Sequence, residues 1–284
     1  MNPEIKILET PRDGFQGIIE FIPTKKKIDF INILLNCGFH TVEVGSIVSD
    51  KAIPQMADTI EILDKLDYSN TKSRIAILVA NEKGGKIAMD YEIVNDLIYP
   101  FSISETFLRK NINQDFIKAE ETIDNLLNLC LKNSKQLIPF LSMGLGNPYG
   151  DEWSLEILDL WTEKFKSKGI KYIPVSDIMG EASKEKIHRV FNHLVSEYPD
   201  IEFGFHLHSA KEKARDKVDA AYKAGIRRFD TVLGGFGGCP MTGKELLGNL
   251  ALDILMDYCT EEGIKNGLDL MKVQEANMMI SSIR

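Results

Sequence analysis

The chain predicts an α/β fold, a (β/α)8 TIM barrel with an extra C-terminal helix. Three observations carry this. Short apolar runs alternate with longer amphipathic runs from one end to the other, and eight strands, each followed by a helix, are the pattern of this barrel. A length of 284 residues suits such a barrel, because barrels of this kind reach that size in one piece. No linker, low-complexity tract or repeat divides the sequence, so residues 1–284 are read as one catalytic domain.

The elements follow in order. The strand candidates are 5–9 (IKILE), 41–45 (TVEVG), 74–80 (RIAILVA), 93–99 (IVNDLIY), 136–143 (QLIPFLSM), 170–176 (IKYIPVS), 201–206 (IEFGFH) and 226–233 (IRRFDTVL). Each is a short apolar run, as strands buried on both faces require. Asn95 and Asp96 interrupt the fourth. Helical patterns lie between them at 24–37, 54–66, 83–91, 115–133, 151–168, 183–198, 210–224 and 243–262, with a last one at about 269–282 able to cover one end.

Composition bounds the function. The net charge of -8 and pI near 5.3 argue against general nucleic-acid binding. There is no apolar run long enough to cross a bilayer, and the first strand, beginning near Ile5, is expected to leave no room for a targeting peptide. Cys37, Cys130, Cys239 and Cys259 form no C-x-x-C pair, so they are read as reduced thiols of a cytoplasmic protein.

Active sites of this fold lie where strands end and βα loops begin. Side chains two apart on a strand share a face, so His206 and His208 project together from the end of the seventh strand. Two imidazoles on one face suit a metal ion, though a pair of strand-end histidines satisfied by other groups has the same spacing. Arg12 and Asp13 directly follow the first strand; an aspartate there can ligate a divalent cation and an arginine can bind an oxyanion, while a surface ion pair is the simpler reading. Asn249 is placed at the start of a helix, as a cap or as a ligand. Together Asp13, His206, His208 and Asn249 offer mixed nitrogen and oxygen donors that suit Mg²⁺, Mn²⁺ or another six-coordinate ion. Glu43, Ser46, Ser142 and Asp177 also fall at strand ends. The loop Gly234-Gly235-Phe236-Gly237-Gly238-Cys239-Pro240 can serve as a phosphate cradle, and its cysteine is poorly placed for the core.

The stretches ETPRDGFQ, VEVGSIVSDKAIPQMAD, SISETFLRKN, LGNPYG, SDIMG, FHLH and GGFGGCPMTGKELLGN occur in that order across essentially the whole chain. In this the chain resembles the 3-hydroxy-3-methylglutaryl-CoA lyase family of metal-dependent TIM-barrel lyases. The resemblance implies cleavage of that thioester to acetyl-CoA and acetoacetate. It implies that Asp13, His206, His208 and Asn249 hold the cation, that Arg12 binds substrate oxygens and that Cys239 is the catalytic thiol. Ser209, Ile178 and the segment through Ser46 depart from the usual family pattern.

Retro-Claisen cleavage fits these residues. The tertiary hydroxyl is deprotonated, the alkoxide collapses, and an acetyl-CoA enolate leaves. A cation and Arg12 stabilise the developing charge, His206 or Asp13 takes the proton, and Cys239 protonates the enolate. Glu43 and Asp177 are expected to orient these groups, and Ser46 and Ser142 to line the substrate. A condensing transferase of the isopropylmalate or citramalate synthase type, or a barrel that only binds, are the alternatives. The expected partner is an acyl-CoA, held at its nucleotide end by some of Lys51, Lys83, Lys86, Arg109, Lys110, Lys211, Lys213 and Lys244. The protein is expected to form a homodimer or other homo-oligomer.

Overall fold

The eight apolar runs form eight parallel strands in the computed structural model, which describes residues 4–238, 247–281 and 283. They are β1 (Lys6–Glu9), β2 (Thr41–Ile47), β3 (Arg74–Val79), β4 (Val94–Tyr99), β5 (Gln136–Pro139), β6 (Tyr172–Asp177), β7 (Glu202–Leu207) and β8 (Arg228–Thr231). Their order is β5-β4-β3-β2-β1-β8-β7-β6. The two outer strands meet through a bridge between Leu141 and Val175, so the barrel is nearly closed. The Leu141 N–H donates to the Pro174 carbonyl at 2.8 Å across this seam.

The helices are α1 (Pro11–Gln16), α2 (Thr24–Leu34), α3 (Thr59–Lys65), α4 (Glu82–Met89), α5 (Glu105–Ile112), α6 (Phe116–Lys132), α7 (Leu155–Ser167), α8 (Lys184–Glu197), α9 (Lys211–Lys223), α10 (Leu252–Glu261) and α11 (Leu270–Ile280). Side chains of Asn81, Ser104, Asp115, Ser154, Ser183 and Asp269 accept backbone N–H bonds at the starts of α4, α5, α6, α7, α8 and α11, satisfying donors that a helix start leaves unpaired. Aliphatic and aromatic side chains fill the space between strands and helices, while the interior of the barrel carries charge at Glu43, Asp96, Arg228 and Asp230. Thus β4 survives its polar interruption because Asp96 pairs with Arg74, whose Nε donates at 2.8 Å, and because the Asn95 side chain accepts the Ile75 N–H at 2.8 Å.

Several elements differ from the sequence reading. β5 ends at Pro139, and the expected run to 143 continues only as isolated bridges, Leu141 with Val175 and Ser142 with Ser102. The expected 54–66 helix is a 3₁₀ turn, Pro54–Met56, then α3; Thr59 Oγ1 donates to the Met56 carbonyl at 2.8 Å and accepts the Ser46 N–H at 3.2 Å. The unpredicted α5 starts where Ser104 Oγ accepts the Phe107 N–H at 3.1 Å, and ends at Asn113 in the left-handed region. α10 begins at Leu252, not 243. Before it, Asn249 bridges His208 and Ala251 bridges Val232 in extended backbone, so Asn249 belongs to no helix; residues 243–246 lie outside the described residues. α11 packs beside α2.

Candidate active site

The first strand delivers its end directly to the site. Glu9 closes β1, and its carboxylate accepts the Thr231 hydroxyl and the Leu233 N–H, both at 2.6 Å. Burial pushes Glu9 up to about 8 despite these bonds. Pro11 then sets the first turn of α1, where its missing N–H is no loss. Arg12 and Asp13 therefore sit in a short helix over the strand end, not in a loop. The Arg12 fork is filled: Nε and Nη2 donate to the two Glu43 oxygens at 2.8 and 3.0 Å, and Nη1 donates to Asp13 at 3.1 Å and Gln16 at 3.0 Å. Burial holds Glu43 up to about 7, although the adjacent Arg12 pulls it down. A skip in the β2–β3 register between Glu43 and Gly45 turns the strand here, as bulges beside active sites do.

From β7, His206 and His208 converge as their spacing predicts, with their Nε2 atoms 3.0 Å apart. His206 Nδ1 lies 3.1 Å from the Asp230 carboxylate, and its Nε2 is 3.7 Å from Asp13 Oδ2. Donor atoms of Asp13, His206 and His208 all lie within 4.8 Å of one another, the one such His, Cys, Asp or Glu group among the described residues. Burial, and then the His206 charge, push His208 down to about 3, so it is a neutral imidazole, the form that binds metals. Burial opposes ionisation of Asp13, but Arg12, both histidines and a hydrogen bond to Asn249 outweigh it and hold its carboxyl below the usual range. Asn249 Nδ2 also donates to the Phe236 carbonyl at 3.0 Å.

A cavity of about 450 Å³ opens over these groups, with Arg12, Asp13, Glu43, Ser142, His206 and His208 in its wall. The rest of the wall is largely apolar. Phe140 stands edge-on to His206, ring centres 5.6 Å apart. Ser142 stands in this wall. Ser46 is not in the wall; its hydroxyl is buried with no hydrogen-bond partner among the described residues. Asp177 is turned away as well: its Oδ2 accepts from Lys217 Nζ at 2.9 Å, and Lys217 also donates to the Gly180 carbonyl at 2.7 Å. That ion pair fixes the segment whose Ile178 backbone bonds the His208 ring. Cys239 and Lys244 lie outside the described residues.

The glycines of the loop after β8 serve close approach to the site. Gly237 has φ +86°, and a Cβ there would stand 2.6 Å from the Asp13 carbonyl oxygen, a position open only to glycine. Among the basic residues, Lys110 lines the cavity and lies 4.4 Å from the centre of the Tyr149 ring. Arg109 is paired with Glu105 and Lys86 with Glu82, while Lys213 lines a second cavity of about 690 Å³ between the starts of α8 and α9. The sequence reading missed Gln16, Asp230 and Lys217. Gln16 stands one helical turn from Arg12 and Asp230 lies opposite His206 in the β7–β8 register, so both had a spacing signal once α1 and β8 were placed.

The HMGL-like family model matches residues 4–280. The chain is 30% identical over 278 residues to the mitochondrial hydroxymethylglutaryl-CoA lyase of Bos taurus, covering 98% of this chain and 85% of that one. It is 29% identical over 266 residues to a hydroxymethylglutaryl-CoA lyase of Bacillus subtilis, with 94% and 88% covered. The crystal structure of the Bacillus subtilis HMG-CoA lyase superposes with a TM-score of 0.92 at 29% identity, covering 99% of this chain and 94% of that chain. An HMG-CoA lyase from Acinetobacter baumannii, in complex with coenzyme A and 3-methylmalate, superposes at 0.90 with 28% identity, covering 99% and 91%.

Proposed function

We propose a reaction from one premise: this chain belongs to the HMGL-like family. It is a carbon–carbon lyase that cleaves 3-hydroxy-3-methylglutaryl-CoA to acetyl-CoA and acetoacetate. The observation that carries this reading is the pairing, in one cavity wall, of a three-donor centre with an Arg12–Glu43 couple already locked in place.

The donor set fits a hard divalent cation, Mg²⁺ or Mn²⁺. Neutral imidazole, carboxylate and the Asn249 amide oxygen are suitable ligands, and the two Nε2 atoms, 3.0 Å apart, are close enough to serve one ion. When bound, such a cation supplies a Lewis acid that eases loss of the substrate's hydroxyl proton and steadies the new oxyanion. Asp13, His206, His208 and Asn249 would hold it.

Arg12 has no freedom to rotate. Glu43, Asp13 and Gln16 fix its charge at the cavity wall, so a developing enolate meets a preorganised cation with little reorganisation. Asp13 takes the hydroxyl proton, because His206 holds Asp230 with Nδ1 and would face the cation with Nε2, and Glu43 keeps the Arg12 guanidinium in place. Cys239 is assigned the return of a proton to the enolate carbon, since a thiol is acidic enough to donate there. The largely apolar wall around Phe140 and Ile178 excludes water from that carbon. We treat residues 1–284 as one catalytic domain. Cytoplasmic residence is supported by the buried free thiols of Cys37, Cys130 and Cys259, and a homodimer or other homo-oligomer by the exposed Leu270, Met271 and Met278 of α11.

Acetoacetate release from the hydroxymethylglutaryl thioester, with Mg²⁺ or Mn²⁺ supplied, tests the reading. Turnover that disappears in Asp13→Ala together with bound metal supports it; a purified, metal-loaded protein that releases no acetoacetate sinks it.

A further inference from the structure

The residues beneath the histidines leave three buried polar atoms unexplained. Arg228 and Asp230 are two apart on β8 and point the same way, into the barrel. Asp230 pairs in register with His206, and its Oδ2 lies 3.1 Å from His206 Nδ1. On β7 the residue two below His206 is Gly204, which leaves the space under that ring without a side chain. Tyr172 of β6 reaches into it: a Cβ on Gly204 would fall 2.4 Å from the Tyr172 hydroxyl. The Arg228 guanidinium lies 3.5 Å from the centre of the Tyr172 ring, and Asp230 and Arg228 are among the charges acting on the phenol.

Tyr172 Oη, Arg228 Nε and Asp230 Oδ1 are each buried with no hydrogen-bond partner among the described residues. Arg228 spends its other nitrogens on Glu202 at 3.2 Å and Thr41 at 3.3 Å. Buried polar groups of this kind are nearly always satisfied, if need be by an ordered water with about three bonds. The three atoms are complementary to one. A guanidinium N–H and a phenol O–H can donate to a water oxygen, and a carboxylate oxygen can accept a water proton. An anion would meet Asp230 and a cation would meet Arg228, so a neutral molecule suits the place.

We propose that a single water is sealed on the barrel axis between Tyr172, Arg228 and Asp230, and that through it Asp230 is the positioning residue for His206. The water holds Oδ1, so Oδ2 stays on His206 Nδ1 and the opposite nitrogen faces Asp13 and His208. This rests on the cation reading above, and it ties the metal centre to a layer of the barrel that substrate never reaches.

A crystal structure of the full chain is expected to show one ordered water within hydrogen-bonding distance of all three atoms; a dry space there overturns the proposal. Mn²⁺ titration provides the second readout. Asp230→Asn is expected to weaken Mn²⁺ binding by about 10- to 100-fold, and Tyr172→Phe, which keeps the ring on Arg228, by a smaller factor. Lowered melting temperatures with unchanged Mn²⁺ affinity in both would reduce these residues to packing and overturn it. Should Asp230→Asn fail to fold, Tyr172→Phe and the water's density decide. A parent protein that binds Mn²⁺ yet leaves the hydroxymethylglutaryl thioester intact defeats the proposed reaction and not this inference.

Discussion

Replacing Glu9 by glutamine isolates one proton that the fold itself retains. The carboxyl is held up to about 8 from an ordinary 4.5, mainly by burial. Its folded pKa is raised, so between these values the native state keeps a proton that the unfolded chain has lost. Stability therefore falls as pH rises through this window, by about 1.4 kcal/mol per pH unit for one proton. From about pH 5.5 to 7.5 that amounts to roughly 3 kcal/mol, or a melting shift of about 6 °C in a protein of this size. The Glu9→Gln amide fits the same partners: its oxygen accepts the Leu233 N–H and its NH₂ donates to the Thr231 hydroxyl, which bond Glu9 at 2.6 Å each. Melting curves of parent and variant across this range give the difference directly, and other titrating groups cancel in it. The parent is expected to lose stability relative to Glu9→Gln as pH rises. Parallel pH profiles would refute the reasoning, because they would mean that Glu9 is ionised in both states.

Cys239→Ser is expected to fold and bind Mn²⁺ normally and to lose most turnover, because a hydroxyl is a far weaker acid than a thiol; wild-type rates would remove Cys239 from the chemistry. Asp177→Asn should leave the Lys217 ammonium buried without its counter-ion and cost about 3 kcal/mol in denaturant unfolding, with Lys217→Met in the same chain recovering much of it. An additive double variant would show that the pair is not coupled. Lys110→Glu, on the cavity wall, is expected to raise KM for the CoA thioester more than for a pantetheine thioester, with kcat nearly flat; equal effects on both substrates would place Lys110 outside the nucleotide's reach.

Much of this site was legible because strands have a fixed period. His206 and His208 could only share a face, and the order of eight strands placed Arg12, Glu43 and Ser142 on the same rim. Where the reading fell short, the signal was local or distant. α1 has only six residues, too few for a 3.6-residue pattern, so the sequence shows no helix at Arg12 and Asp13. Ser46 follows the register skip after Glu43, yet it does not reach the cavity wall. Asp177 occupies a strand end as expected, but its partner Lys217 comes from the next repeat, 40 positions away. Nothing in either segment announces that contact. The glycines after β8 were read for a ligand's approach, and the structure uses Gly237 for the approach of the Asp13 backbone.

The Asp177–Lys217 contact also bears on how such a sequence can drift over generations. Each residue is nearly buried, with side chains 3% and 5% exposed. A lineage that alters either one first leaves a lone charge in the interior and passes through a weakened ancestor. The two positions should therefore be inherited as a unit, changing together or not at all. Ile178, adjacent to Asp177 but facing the cavity, is under no such tie. Selection for a different acyl group can act on it freely while the clamp behind it stays in place.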